Sequence, residues 1–237
     1  MCLIINLILT ISMFRISLCF LFLTVNIQAQ NINLSESITD NDTIVGYTNQ
    51  RSMTYSFNLL HPGITNSSAI GSASEDKLGF NIGAQIFLYK HFYLGAYTGT
   101  LYLDVKDKAL VGNYERSTVT HSYLQLGYEF PISQKIRLDL NFVPWGDSRY
   151  KNILELSNNA KQIDRASITM FGAGFSYSFS KSLDVFVSYS YRSDESRIQT
   201  ASQIQGDFNT INYNTLGIGI RFFGGKKDLF TEFKSYF

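Results

Sequence analysis

The sequence predicts an all-β chain closed into an eight-stranded antiparallel up-and-down transmembrane β-barrel. Three observations predict it. Apolar and polar residues alternate with period two in eight separate stretches. The segments joining those stretches are alternately short and long. Aromatic residues make up 15% of the chain while charged residues make up only 16%, where a soluble domain carries about 25% charge. The formal net charge of +1 gives no basic surface for nucleic acid.

Residues 1–29 read as a signal peptide. Positions 3–25 are apolar apart from Asn6, Thr10, Ser12, Arg15, Ser17 and Thr24, and lead to a small residue, Ala29, followed by polar sequence. Arg15 sits mid-run, which a translation start at Met13 instead of Met1 explains. The competing reading, a retained anchor, places Arg15 in the membrane centre at a cost of about 2.5–3.5 kcal/mol. Both cysteines, Cys2 and Cys19, fall in this segment, so the mature chain holds neither disulfide nor cysteine metal site. A lipoprotein reading of Cys19 lacks the small residue just ahead of it. Removing residues 1–29 deletes Arg15 and no acid, which takes the formal charge to zero. Residues 30–50 form a segment before the barrel.

The barrel is expected over 51–223. In Ser52–Leu60, Met53, Tyr55, Phe57 and Leu59 share one face; in Leu78–Ile86, Leu78, Phe80, Ile82, Ala84 and Ile86 do. Phe92–Val105 is strand-like but its pattern does not assign one apolar face, and a bulge near Thr98–Thr100 is one way for the face to switch. Thr118–Phe130 aligns Leu124, Leu126, Tyr128 and Phe130. The second half repeats the pattern with Ile136–Phe142, Phe171–Phe179, Leu183–Arg192 and Leu216–Phe222. Turns at Lys90-His91, Pro131–Lys135 and Ser180–Ser182 are short. The connections 61–77, 106–117, 144–162 and 193–210 are long and polar. Long loops outside and short turns in the periplasm are the habit of outer-membrane barrels, and an even strand count returns both termini to the periplasm. Pro62, Pro131 and Pro144 are expected at strand ends, where no ladder bond is lost.

Aromatic residues bracket the apolar faces. Tyr89, Phe92, Tyr93, Tyr128, Phe130, Phe179, Phe222 and Phe223 lie toward the short turns, and Trp145, Tyr189 and Tyr191 toward the loops. Two such girdles fit two headgroup layers. The opposite faces carry small polar residues and a few charges. Glu129 and Arg137 are expected to face each other across the fourth hairpin, with Asp139, Asp184 and Arg221 at similar depth. Buried charges persist when paired, so these five are read as a polar plug in a lumen too narrow for general diffusion. A gate or proton-linked role is the competing reading.

Thr215, Gly217, Ile220 and Phe222 in the last strand resemble the assembly signal of outer-membrane barrels, which implies recognition by the barrel-insertion machinery. The chain then continues to Phe237 as a periplasmic tail, 224–237, mixing Lys226, Lys227, Asp228, Glu232 and Lys234 with Phe230, Phe233 and Tyr236. Over 51–223 the chain resembles the small outer-membrane families that include the OmpA transmembrane domain and OmpX-like proteins. Its Ala29-Gln30 junction and Asn- and Tyr-rich strands are similar to Bacteroidota versions.

That resemblance implies outer-membrane location, lipid and lipopolysaccharide as neighbours, and no cofactor. Some barrels of this size modify lipid A with serine–histidine chemistry, which needs a His, a Ser and an acid together near the outer rim. His121 with Ser122 and Asp104 is the candidate set. His61 begins the first loop and His91 lies at a periplasmic turn. The His-any-Ser-Asn run of barrel deacylases is missing. Glu75-Asp76 and Asp194-Glu195 read as solvated loop acids without ligand spacing. Gly172-Ala173-Gly174 and Gly217-Ile218-Gly219 are strand glycines, not nucleotide loops. Three functions follow: a non-enzymatic surface barrel acting through its loops, an accessory subunit of an envelope machine docking through its tail, or a lipid-modifying enzyme. The first is favoured.

Overall fold

The computed structural model describes residues 50–154, 161–180 and 182–234. The expected signal peptide and nearly all of 30–50 lie outside the described residues. Eight strands form one closed antiparallel barrel in chain order: β1 Met53–His61, β2 Ser74–Tyr89, β3 Phe92–Val105, β4 Tyr114–Pro131, β5 Ile136–Leu154, β6 Lys161–Ser178, β7 Leu183–Ser196 and β8 Thr210–Gly224. The ladder between β8 and β1 closes it, from Met53↔Gly224 to His61↔Leu216. No edge strand is left exposed.

Several strands outrun expectation. β4, β5 and β6 contain 18, 19 and 18 residues, whereas ~9–11 cross a bilayer at a tilt. Most of the anticipated loop 144–162 is therefore β-ladder, and 61–77, 106–117 and 193–210 are shortened as well. The cause is visible on β6. From Phe171 to Tyr177 the outward residues are Phe171, Ala173, Phe175 and Tyr177, with Gly172, Gly174 and Ser176 inward. Toward Lys161 the polarity inverts: Met170, Ile168 and Ala166 are buried inside, while Thr169, Ser167 and Arg165 face outward. The lower barrel is apolar outside and polar inside; the upper barrel is built like a soluble one. A single apolar face traced along the sequence ends at the crossover although the backbone pairing continues.

Pro144 is the second correction, because it lies inside β5. The β4 ladder passes from Leu126↔Phe142 to Leu124↔Trp145, and the β6 ladder from Val143↔Met170 to Asp147↔Ser167. Pro144 thus has no partner on either side, and its missing N–H costs neither ladder. The bulge also flips the inward parity, from Arg137, Asp139 and Val143 to Ser148 and Tyr150. Pro62 follows β1 and Pro131 ends β4, as expected.

The bulge anticipated in β3 belongs to its neighbour. Lys77↔Tyr102 is followed by Phe80↔Thr100, so Leu78-Gly79 of β2 oppose Leu101. β3 itself keeps one inward face through Tyr93, Gly95, Tyr97, Gly99, Leu101 and Leu103. Its ambiguity came from large residues on the lumen side.

The girdles hold with two exceptions. Tyr89, Phe92, Phe130, Phe179 and Phe222 are exposed toward the short turns, and Trp145, Tyr189 and Tyr191 toward the loops. Tyr93 is 0% exposed inside the barrel, and Phe223 lies under the Arg51 guanidinium at 3.9 Å. At the loop end sit three short helices: α1 Ala69–Ala73, α2 Lys108–Val111 and α3 Gly206–Asn209. Ser68 caps α1 by accepting from Gly71 N at 3.1 Å. Ile64 and Ile70 of this connection pack on a lumen cluster that includes Leu60, Leu103, Val119, Ile211 and Tyr213. After a turn at Gly225, whose φ is +76°, helix α4 Leu229–Lys234 packs against β2 at the other end. Among the described residues no helix is long and apolar enough to cross a membrane.

Candidate functional site

The lumen is layered. At the short-turn end, Arg51, Glu129, Arg137, Asp139, Asp184 and Arg221 are all buried. Sequence reasoning named five of them and missed Arg51, which precedes β1 and turns into the barrel. Arg51 Nη2 donates to Asp184 Oδ2 at 2.5 Å, and its Nη1 lies 3.5 Å from Glu129 Oε1. Arg221 Nη1 donates to the same Glu129 oxygen at 2.5 Å. With Arg51 the group holds three arginines and three carboxylates, a neutral set. The signal was available: five charges summing to −1 in a buried space call for one more cation.

The expected pairing of Glu129 with Arg137 is shifted by two residues. A four-residue loop, 132–135, closed by Ile132 N donating to Ile136 O at 3.0 Å, sets Pro131↔Arg137 and Glu129↔Asp139 as partners. Arg137 reaches Glu129 diagonally at 3.9 Å. The two acids placed opposite one another are held by different donors. Asp139 accepts from Tyr93 Oη at 2.8 Å and from Asn141 Nδ2 at 2.6 Å, and Tyr93 in turn accepts from Gln125 Nε2 at 2.8 Å.

Above this layer a cavity of about 80 Å³ is lined by polar residues such as Ser56, Asn58, Asn81, Tyr123 and Asn141. Glycines make space for those side chains. A Cβ on Gly217 would meet Ser188 Oγ at 2.5 Å and Asn58 Nδ2 at 2.7 Å; one on Gly172 would meet Asn141 Oδ1 at 2.5 Å.

The next layer was not foreseen. Arg192 donates through Nε to Asp194 Oδ1 and through Nη2 to Asp194 Oδ2, both at 2.7 Å, a bidentate pair. Ser148 and Tyr150 donate to Asp194 Oδ2 at 2.7 and 2.6 Å, and Tyr150 Oη lies 2.7 Å from Tyr213 Oη. Asp194, read as a solvated loop acid, is 0% exposed, because β7 runs on to Ser196 and turns it inward. Asp76 is not free either: both its oxygens accept from Ile64 N at 3.1 Å, holding the first loop to β2.

The serine–histidine set is not assembled. His121 faces inward, 3.3 Å from Arg192 Nη1 through Nδ1 and stacked on Tyr123. Ser122 and Asp104 face outward, Ser122 beside Thr98 at 3.0 Å and Asp104 paired with Lys77 at 3.3 Å. His61 lies outward at the end of β1. His91 is in the β2–β3 turn, where partial burial and the nearby Arg137 charge lower its pKa. Among the described residues no three His, Cys, Asp or Glu side chains gather as a metal site.

In the last strand Thr215 is buried and donates to Pro62 O at 3.2 Å, Gly217 faces the lumen, and Ile220 and Phe222 face outward. In the tail, Ser52 Oγ donates to Lys227 O. Asp228 accepts from Thr231 N at 2.8 Å and Thr231 Oγ1 at 2.9 Å. Burial pushes the Asp228 carboxyl up, but these hydrogen bonds prevail and hold it below its usual range. Leu229, Phe230 and Phe233 of α4 are left exposed.

A closed eight-stranded up-and-down barrel with an apolar belt around a lower lumen of buried polar and paired charged side chains is the fold class of the small outer-membrane barrels. No family model matches the chain, and no curated protein matches it. Among solved structures, the chain is similar in fold to Neisserial surface protein A, with a TM-score of 0.51 at 11% identity over 72% of this chain and 96% of that one. Ail, the attachment invasion locus protein of Yersinia pestis, aligns with a TM-score of 0.46 at 12% identity, covering 74% and 99%. The N-terminal β-barrel domain of Pseudomonas aeruginosa OprF aligns at 0.43 with 13% identity, covering 74% and 99%. The first of these carries the likeness, and it is one of fold.

Proposed function

We propose that the protein is an integral outer-membrane barrel without enzymatic activity that acts through its loop end, with both termini on the periplasmic side. The observation that carries this reading is the inversion of side-chain polarity along the strands. Phe57, Ile82, Leu140, Phe175, Val187 and Ile218 are exposed around the lower barrel, a belt that in water would be one large apolar patch and in lipid is ordinary. The upper barrel, polar outside, extends beyond that belt and lifts the loops away from the membrane.

The lumen is proposed to be closed to general diffusion. The neutral arginine–carboxylate layer, the Arg192–Asp194 layer and the apolar cluster above them support this. On that reading the five charges named from sequence, with Arg51, act as a plug. Thr215, Gly217, Ile220 and Phe222 serve as the signal for the insertion machinery. Surface labelling of whole cells, with fractionation, tests location and orientation. Reconstitution in planar bilayers tests the lumen, where the expected result is no steady ion-conducting step. A regular conductance sinks the plug.

The second reading, an accessory subunit of an envelope machine, is favoured by one observation: α4 leaves Leu229, Phe230 and Phe233 exposed beneath the barrel. Cross-linking in native membranes separates the two. A stoichiometric partner lost on deleting 224–237 supports the subunit; recovery of the barrel with lipopolysaccharide alone supports the surface barrel.

A further inference from the structure

A second concavity, distinct from the lumen cavity, opens among the loop-end residues. It measures about 220 Å³ and draws its lining from strands β2 to β6, from the short helices α1, α2 and α3, and from the β7–β8 connection. One wall is a connected polar array. Asp164 accepts from Asn152 Nδ2 at 2.9 Å and from Gln162 Nε2 at 3.1 Å. Tyr114 Oη donates to Gln162 Oε1, and Ser117 Oγ to Asn152 Oδ1 at 2.5 Å. Each amide is thereby fixed in orientation by the next member, and the carboxylate keeps lone pairs for further donors. Thr200 and Phe208, the latter in α3, also line the pocket.

We propose that this pocket binds a single neutral sugar ring. The chemistry is complementary on both counts. A pyranose offers adjacent hydroxyls, which suit a pre-oriented carboxylate and amides, and an apolar C–H face, which suits an aromatic ring. Asp164 is the one acidic side chain among the described lining residues and no basic one accompanies it, so an anionic ligand finds no cation there. The volume lies below the ~300–1,000 Å³ of drug-sized pockets, which limits the occupant to one ring. Such a site gives the loop end a defined ligand class; it rests on the reading that this end faces the cell exterior.

The test uses the full chain in detergent micelles and methyl glycosides of gluco, galacto and manno configuration as probes, followed by saturation-transfer NMR. At least one is expected to bind, and to bind more tightly than the methyl glycoside of glucuronic acid. Asp164→Asn is expected to weaken binding at least tenfold, and Phe208→Ala, on a different element, by a similar factor. No saturation transfer from any of the three at millimolar concentration overturns the proposal, as does a preference for the acidic sugar. Binding undiminished in both variants also overturns it. Gly206→Cys, whose added Cβ meets nothing within 4 Å, supplies a thiol for labelling on intact cells. Labelled cells without glycoside binding sink the pocket alone; glycoside binding with unlabelled cells sinks the exterior orientation alone.

Discussion

Arg51 Nη2 lies 2.5 Å from Asp184 Oδ2, joining residues 133 positions apart at the short-turn end of the lumen. Neither side chain has water to fall back on: they are 1% and 0% exposed. Such a pair is worth little against an apolar replacement of both members, yet removal of one partner leaves a buried charge. Arg51→Met is therefore expected to destabilise the barrel by about 3–5 kcal/mol. Urea unfolding in detergent micelles, read by the shift between folded and unfolded gel mobility, measures it. The double variant Arg51→Met with Asp184→Asn is expected to lose less than the sum of the single losses. Strict additivity counts against the pair.

How much of this site the sequence revealed depends on where each residue sits relative to the apolar belt. Glu129, Arg137, Asp139, Asp184 and Arg221 lie within the belt, where alternation is regular, and their inward direction could be read directly. Arg51 lies ahead of the first alternating residue, so period two had no purchase on it. Asp194 and Arg192 lie where polarity inverts, and Asp194 read as loop for that reason. Pro144 marked a strand end in sequence because the skipped ladder rung that tolerates it is a property of its neighbours on β4 and β6. The Glu129–Asp139 register required knowing that the hairpin loop holds four residues, since one hairpin step moves a diagonal neighbour into direct opposition. The loop-end pocket was illegible because its lining is gathered from five strands, three short helices and the β7–β8 connection.

His91 supplies a pH dependence whose sign follows from its lowered pKa, caused first by burial and then by Arg137. The folded state binds the proton less readily than the unfolded chain, whose histidine titrates near ~6.5. Stability contributed by the neutral ring is thus full above about 6.5 and is lost as pH falls from there through the folded value. Unfolding midpoints measured between pH 7.5 and 5 are expected to decline, and His91→Asn to flatten that slope. A slope unchanged in the variant assigns the effect elsewhere.

Gly217 and Gly206 make a paired comparison of space. The Cβ of an alanine at 217 would press on Ser188 and Asn58 inside the lumen, whereas at 206 it would meet nothing within 4 Å. Gly217→Ala is expected to lower stability by about 1–3 kcal/mol, the usual range for overpacking, and Gly206→Ala by less than about 0.5 kcal/mol. Equal effects in the same unfolding assay contradict the close packing of the lumen.

Ile218 and Asn214 lie on the same outward face of β8, four residues apart, on either side of the polarity inversion. Ile218 is 56% exposed and stands between Val187 of β7 and Leu59 of β1, both also exposed and apolar. Asn214 is exposed beside Tyr191 and accepts from Tyr189 Oη at 2.8 Å, at the level of the upper aromatic girdle. If lipid covers the lower belt, arginine at 218 has no water to reach without snorkelling, at a cost of about 2–4 kcal/mol; at 214, near the interface, the cost is about 0–1 kcal/mol. The difference between Ile218→Arg and Asn214→Arg, both refolded into phospholipid vesicles, therefore measures where the hydrocarbon ends. Equal costs at the two positions place the boundary elsewhere or remove the lipid altogether. A large cost at 218 that vanishes in detergent micelles assigns the penalty to the bilayer rather than to packing within the strand pair.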